Sequence, residues 1–482
     1  MAAATRVQRS ERDGVAPATA ASEARLRLLI ASGGDDRIWL DPVTRRNRYG
    51  VPASPAPDEI WLSSSTAAPV SPHGWTAAGE ALDRLTDGGR TTIAAWFEAL
   101  RRRLLALYGA PGAAAVLAAS GTETELVALQ LALALAGGPL VNIVVAPAET
   151  GSGVPAAAAG RHFLGRASLG RAVAQGERLA GWEGAELSLQ TVEIRKASGA
   201  PRSQADVDFE AAMRVDRAVA AGAFALLHVL DASKTGRPGV SRSAARDILA
   251  RYPGRVMVVV DACQLRCAGA DIRRDLAEGL AVMITGSKFA GGPAFCGALL
   301  LPSAIAERLA EAPAFGRALA PYSAALDWPA RLRRRFASAL AHPANLGLGL
   351  RWSAALAEIE AFEAIPAARR GALLAAFDTA VLARVAADPS LALADPEGAA
   401  APGLVPIVHA DGSDPRAVYE ALGQGERISR PCHLGQPVVV GPKTALRVCA
   451  SMPMITNAAE LGMAKTEADL DEAFASWARL RG

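Results

Sequence analysis

From about residue 80 onward the apolar positions follow two alternating rhythms. In "IAAWFEALRRRLLALYG" they recur every three to four residues, which predicts an amphipathic helix stopped by Gly109 and Pro111. "AAAVLAAS" is a short all-apolar run and predicts a strand. "GTETELVALQLALALAGG" predicts a helix beginning at its glycine, and "LVNIVVAP" the next strand. The alternation then resumes. "FALLHVLD", "VMVVVDA" and "AVMITGS" read as strands, with helices "SRSAARDILARY" and "RRDLAEGL" between them. Buried strands separated by helices imply an α/β layer with a mainly parallel sheet.

Residues 151–205 break this rhythm. They are Gly/Ala-rich with one strand, "LQTVEIR", and read partly as an insertion. The pattern divides the chain into a disordered tail (1–22), an N-terminal segment (23–79), a large domain (80–330), and a linking helix with a smaller C-terminal α/β domain (331–482). Within the N-terminal segment "IWLSSSTA" is strand-like, and Asn47, Tyr49 and Thr66 are candidates for lining an entrance. The linking helix is "GLGLRWSAALAEIEAFEA", and no repeat of fixed period is present.

Composition narrows the function classes. The chain has 482 residues, 51% of them hydrophobic, which is ample for a large core. A net charge of +3 gives no footprint for a nucleic-acid partner, and the basic run "RLRRRF" (331–336) reads as a solvated helix face. Five cysteines with no CxxC pair offer neither a metal site nor a disulfide framework; they fit a reducing, cytoplasmic compartment. The apolar stretch "LVALQLALALAGGPLVNIVV" is broken by Gly137, Gly138, Pro139 and Asn142, so no membrane span is expected.

The chemistry collects where strands end. Ligands of open α/β sheets bind at the carboxyl edge. Asp261 and Lys288, "GTE" (121–123) and "AET" (148–150) all follow apolar strands. A lysine there can form a Schiff base with a carbonyl compound. An aspartate can keep a pyridine ring protonated as an electron sink. A glycine-led helix start offers free N–H groups and the Thr122 hydroxyl to a phosphate. Taken singly, each has an ordinary structural explanation: a turn aspartate, a plain helix cap, a surface lysine. Together they describe a site for pyridoxal phosphate (PLP).

With those residues in place, the chain resembles the fold-type I PLP-dependent enzymes, specifically the class V aminotransferase and cysteine desulfurase group. "DACQ" (261–264) matches the group's Asp-x-x-Gln, and Lys288, 27 residues after Asp261, matches its Schiff-base lysine. "KFAGGPAFCGALLLP" is similar to the glycine-rich turn beyond that lysine, and "LRVCAS" to the segment whose arginine holds the substrate carboxylate. The resemblance implies cofactor contacts from Gly121, Thr122, Thr150, Ser233, Asp261, Gln264, Thr285 and Lys288, and a substrate contact from Arg447. It also implies a fold-type I architecture, an amino-acid substrate and a homodimer. The match runs over roughly 80–460 and departs in places. Ser287 stands where desulfurases carry a histidine. Thr150, after Glu149, stands where a histidine stacks on the cofactor, and His162 from the insertion is a distant substitute. Thr235 and Gly236 align Ser233 with a cofactor-contacting asparagine, and His228 reads as structural.

Amino transfer needs only Lys288 to move a proton and is the leading expectation. The alternative is a desulfurase-like or β-eliminating C–S lyase with Cys432 as nucleophile, its thiol activated by His433 and Arg430. A catalytically degenerate PLP-fold binding protein is a third reading. A dinucleotide-binding oxidoreductase is disfavoured because no GxGxxG follows the first strands.

Overall fold

Along "VMVVVDA" successive side chains leave the sheet on opposite faces. Val256, Val258, Val260 and Ala262 join one apolar cluster, while Met257 and Val259 join another. A strand buried on both faces has no polar position to spare, and Asp261, near its end, is the first residue not fully covered. The computed structural model describes residues 20–64, 68–86, 92–312, 317–336, 340–395 and 401–481.

Among the described residues there are twelve strands: β1 (Ile60–Leu62), β2 (Ala114–Ala118), β3 (Leu140–Val145), β4 (Leu187–Val192), β5 (Phe224–Leu230), β6 (Val256–Ala262), β7 (Ala281–Thr285), β8 (Gly297–Leu301), β9 (Leu391–Leu393), β10 (Leu404–His409), β11 (Cys432–Val440) and β12 (Lys443–Cys449). Seven form the large sheet in the order β2-β8-β7-β6-β5-β3-β4. β8 runs antiparallel to both β2 and β7, and the remaining pairs in this sheet are parallel. The helix Gly121–Ala136 covers one face. The helices Gln204–Ala220, Arg242–Arg251 and Gly269–Ala277 cover the other. This is the mainly parallel α/β layer that the alternating rhythm predicts.

The expected helix over "IAAWFEALRRRLLALYG" is Ile93–Leu107. Thr92 caps it by accepting from Ala95 N at 3.1 Å, and Gly109, at φ 56°, turns the chain away after it. The helix from "GTETE" runs to Ala136 and ends on Gly137 at φ 59°. "RLRRRF" is helical, but it is not merely a solvated face. Arg333 donates to the carbonyls of Ala325 and Trp328 and pairs with Glu98, while Arg335 donates to Ala310 O at 2.7 Å.

The second sheet has the order β1-β11-β12-β10-β9. Its edge strand β1 comes from the N-terminal segment and pairs in parallel with β11, Ile60 opposite Cys432 and Trp61 opposite His433. Nothing local in "IWLSSSTA" names a partner some 370 residues away, so periodicity shows the strand but not its place. A helix also begins at Ala20, inside the stretch expected to be a tail; residues 1–19 lie outside the described residues. Leu26 and Ile30 bury against the core, and the buried Arg351 holds the helix end by donating to Ile30 O at 2.9 Å and Gly33 O at 3.1 Å. Arg351 sits on the linking helix, Leu346–Glu363, which is buried on nearly every face.

That burial explains the glycines on either side of Lys288. A Cβ on Gly286 would stand 2.5 Å from the Ala355 Cβ. One on Gly292 would stand 2.6 Å from Gly286 O and 2.7 Å from the same Ala355 atom. Glycine lets the lysine-bearing turn lie directly on the helix.

Candidate active site

Five strand ends of the large sheet open onto one cleft. β2 leads to Gly121 and Thr122, β3 to Glu149 and Thr150, β5 to Lys234, β6 to Asp261 and Gln264, and β7 to Thr285 and Lys288. β12 of the second sheet contributes Arg447, and the N-terminal segment adds Arg37 and Tyr49. Adjacent parallel strands explain the paired charges. Asp261 is in register with Met283 on β7, and the chain beyond Met283 carries Lys288 onto the same edge.

At the helix start, Ser120 accepts from Glu123 N at 3.2 Å, and the Glu123 carboxylate accepts from Ala119 N at 2.9 Å. These bonds fix the first turn and leave the Gly121 and Thr122 N–H groups without helical partners. A Cβ on Gly121 would lie 3.1 Å from the Cys263 thiol, so the backbone itself forms that wall. Thr285 borders the same corner, with its hydroxyl donated to Cys263 O at 2.6 Å.

Asp261 accepts from Cys263 N at 3.0 Å through Oδ1. Gln264 lines the cleft with a buried Oε1 that has no hydrogen-bond partner, a costly state unless a ligand supplies a donor. Beneath lies a buried polar group. His228 Nε2 is 3.0 Å from Asn142 Oδ1 and 3.3 Å from Glu125 Oε1, and Asn142 donates to that Glu125 oxygen at 2.9 Å. Burial lowers the His228 pKa, but Glu125, with Asp261 beyond it, outweighs burial and holds it above the ordinary histidine value. His228 is thus braced from below by Asn142 and Glu125 and also lines the cleft.

Arg447 is fully buried. Its Nε donates to Gln436 O at 3.0 Å, and its two terminal nitrogens make no hydrogen bond to any described residue. Burial lowers its pKa, so an anion in front of it would relieve an uncompensated charge.

Two expected site residues lie elsewhere. Ser233 does not line the cleft: its hydroxyl donates to Glu149 Oε2 at 2.8 Å, because the turn after β5 folds over that carboxylate. Thr235 also donates to Glu149, and Arg195 Nε pairs with it. Cys432 lies at the start of β11, 1% exposed and outside the cleft. Burial, then Asp469 and Glu472, push its thiol up to about 12, against the opposing pull of Arg430. Arg430 is committed to those two carboxylates, and His433 to Glu59 at 2.7 Å, so neither activates the thiol.

Thr150 lines the cleft with its hydroxyl donated to Pro147 O. His162 bonds Tyr322 at 2.7 Å, outside the cleft. Asn47 is buried in its own turn, accepting from Tyr49 N and Val51 N, while Thr66 lies outside the described residues. Sequence reasoning missed Lys234, Arg37, Glu125 and Asn142. Lys234 follows β5 within a segment singled out for Ser233, and the strand-end rule applied to it would have found the lysine. Arg37 grips Asp35 at 2.6 and 2.8 Å and lies over the Phe295 ring, a placement that depends on the distant N-terminal segment.

No family model matches the sequence, and no curated protein matches it. Solved structures do match. The cysteine desulfurase CsdA from Escherichia coli aligns at 15% identity over 88% of this chain and 95% of that one, with a TM-score of 0.56. A C-DES mutant with glycine covalently linked to its PLP cofactor aligns at 14% over 88% and 97%, TM-score 0.58. The phosphoserine aminotransferase SerC from Cytophaga hutchinsonii aligns at 13% over 86% and 99%, TM-score 0.52. At such identities the likeness is one of architecture. The chain has the fold of the fold-type I PLP-dependent enzymes, the group its motifs resemble.

Proposed function

We propose that this protein is a PLP-dependent enzyme that acts on an α-amino acid, with amino transfer as its reaction. The observation that carries this reading is the convergence of Lys288, Asp261, the Gly121–Thr122 helix start and Arg447 on one cleft. The residues fit the cofactor on structural grounds: Gln264 Oε1 is orphaned in the cleft wall, and the helix start has N–H groups to spare.

When bound, PLP supplies an electron sink that makes a bond at the substrate Cα labile. The chain's residues have separate tasks. The Gly121 and Thr122 N–H groups and the Thr122 hydroxyl hold the phosphate at the positive end of the helix. The Asp261 carboxylate holds a proton on the pyridine nitrogen. Lys288 Nζ anchors the cofactor and moves the proton at the substrate Cα. Arg447 presents its terminal nitrogens to the α-carboxylate, and its burial keeps water from competing for that contact.

A nucleophilic Cys432 receives no support from its position, and Cys263, which does line the cleft, has a thiol held well above its ordinary pKa by burial and Asp261. Both placements favour amino transfer over sulfur abstraction. We further propose a homodimer, on the resemblance alone, and a cytoplasmic location, where the five unpaired cysteines would stay reduced. Among the described residues no helix is long and apolar enough to cross a membrane. The two-domain division, 80–330 and 331–482, is kept as a proposal, with β1 lent to the second domain.

The test is to add PLP to the purified chain, record its absorbance, and incubate it with an amino-acid panel and a 2-oxo acid. Uptake with a new absorption band and formation of the matching oxo acid and amino acid are expected. A chain that takes up no PLP overturns the reading.

A further inference from the structure

The cleft holds one more cation than these roles use. Lys288, Arg447, Lys234 and Arg37 line it, and Arg37 is paired with Asp35. Glu149, whose backbone carbonyl accepts from the Lys234 N–H, has its carboxylate committed to Arg195, Ser233 and Thr235. The Lys234 ammonium forms no hydrogen bond or ion pair with any described residue. Its position is nevertheless built. Its own N–H donates to Glu149 O at 2.8 Å, both flanking hydroxyls are tied to the Glu149 side chain, and Gly236, at φ 86°, closes the turn. Burial, followed by repulsion from Arg447 and Lys288, brings the Lys234 pKa to about 8. A half-buried lysine facing two other cations is unfavourable unless an anion joins them.

Location narrows the anion's source. Lys234 lines both the cleft and an outer cavity that opens past Tyr49, Tyr419 and Gln436. Arg447 lines the cleft alone. A substrate with its α-carboxylate on Arg447 would therefore extend its side chain toward Lys234. We propose that Lys234 reads a second anionic group on the substrate, so that the preferred amino acid carries a carboxylate or phosphate on its side chain. This rests on the proposed function for the α-carboxylate site; the Lys234 site stands on its own residues.

The experiment measures binding of unreactive analogues to the PLP-loaded full chain by calorimetry. Glutarate, 4-phosphonobutyrate and pentanoate share one carboxylate and a three-carbon spacer, and differ at the far end. At least one of the two dianions should bind about tenfold or more tighter than pentanoate, as a charge-assisted hydrogen bond would give. The tighter of the two identifies the side-chain anion. Lys234→Met should collapse the ratio toward unity, and Lys234→Arg should restore it. Equal binding of all three, or a preference that survives Lys234→Met, overturns the assignment. So does a Lys234→Met protein that loses PLP affinity while keeping the ratio. If the chain takes up no PLP but still prefers the dianion, the proposed function fails and the Lys234 site remains.

Discussion

Ser233 turns its hydroxyl onto the Glu149 carboxylate at 2.8 Å, and that bond leaves the next residue, Lys234, as the one presented to the cleft. Glu149 is thus a positioning residue whose contacts are made with the turn. Ser233→Ala should reduce stability by about 1 kcal/mol in urea denaturation while PLP affinity stays at the parent value. A marked loss of PLP affinity would show that the serine contacts the cofactor after all. Glu149→Gln removes one of the two carboxylates that face Arg195, leaving Asp395 at 3.4 Å, and should cost roughly 1–3 kcal/mol.

Lys288 and Asp261 share the carboxyl edge but should fail differently. Borohydride reduction of the PLP-loaded protein, followed by peptide mapping, should place the label on Lys288. Asp261→Ala should weaken PLP binding by about 1.5–3 kcal/mol and remove most turnover, with far-ultraviolet circular dichroism unchanged. A label on Lys234 in place of Lys288 would reverse the roles of the two lysines.

The legible part of this protein is the part whose chemistry follows its own strand. Asp261, Gln264, Thr285 and Lys288 each end or follow an apolar run, and an all-apolar strand can deliver function only where it stops. Gly121 and Thr122 were legible for the same reason, at the start of a helix. Motif spacing gives the position of Ser233 but not its rotamer, which follows Glu149 on a different loop. Around Cys432 the sequence neighbours are not its chemical partners: Arg430 faces Asp469 and Glu472, and His433 faces Glu59. β1 could be seen as a strand but not as the edge of the second sheet, since its partner lies near the other end of the chain.

Cys432 offers a direct separation of the two leading reaction classes. The thiol is buried at the β1–β11 junction, so Cys432→Ser places a hydroxyl in an apolar site and should cost about 1–2 kcal/mol of stability. Amino transfer in the folded variant should persist. A folded, PLP-loaded Cys432→Ser protein that loses all turnover, with sulfur release abolished, would restore the lyase reading.

The last prediction concerns pH. The Lys234 pKa is displaced downward to about 8 by burial, then by Arg447 from β12 and Lys288 from the turn after β7, with Glu149 pulling the other way. Arg37, Arg48, Glu420, His433 and the Tyr49 and Tyr419 phenols also border the cleft or the outer cavity. A lowered lysine pKa means that the cation is complete below about 8 and is lost as pH rises through that value. The affinity ratio of glutarate to pentanoate should therefore be high and level at pH 6–7 and fall at roughly pH 8–9. The bound anion favours the ammonium, so the midpoint for the complex should lie above that of the free protein. Using the ratio cancels any titration that acts equally on the two analogues. Lys234→Met should flatten the profile. Lys234→Arg should hold the ratio level to the alkaline limit of the fold, because a guanidinium does not titrate there. If the fall near pH 8 persists in Lys234→Met, another cleft group titrates and Lys234 is not the residue that meets the anion.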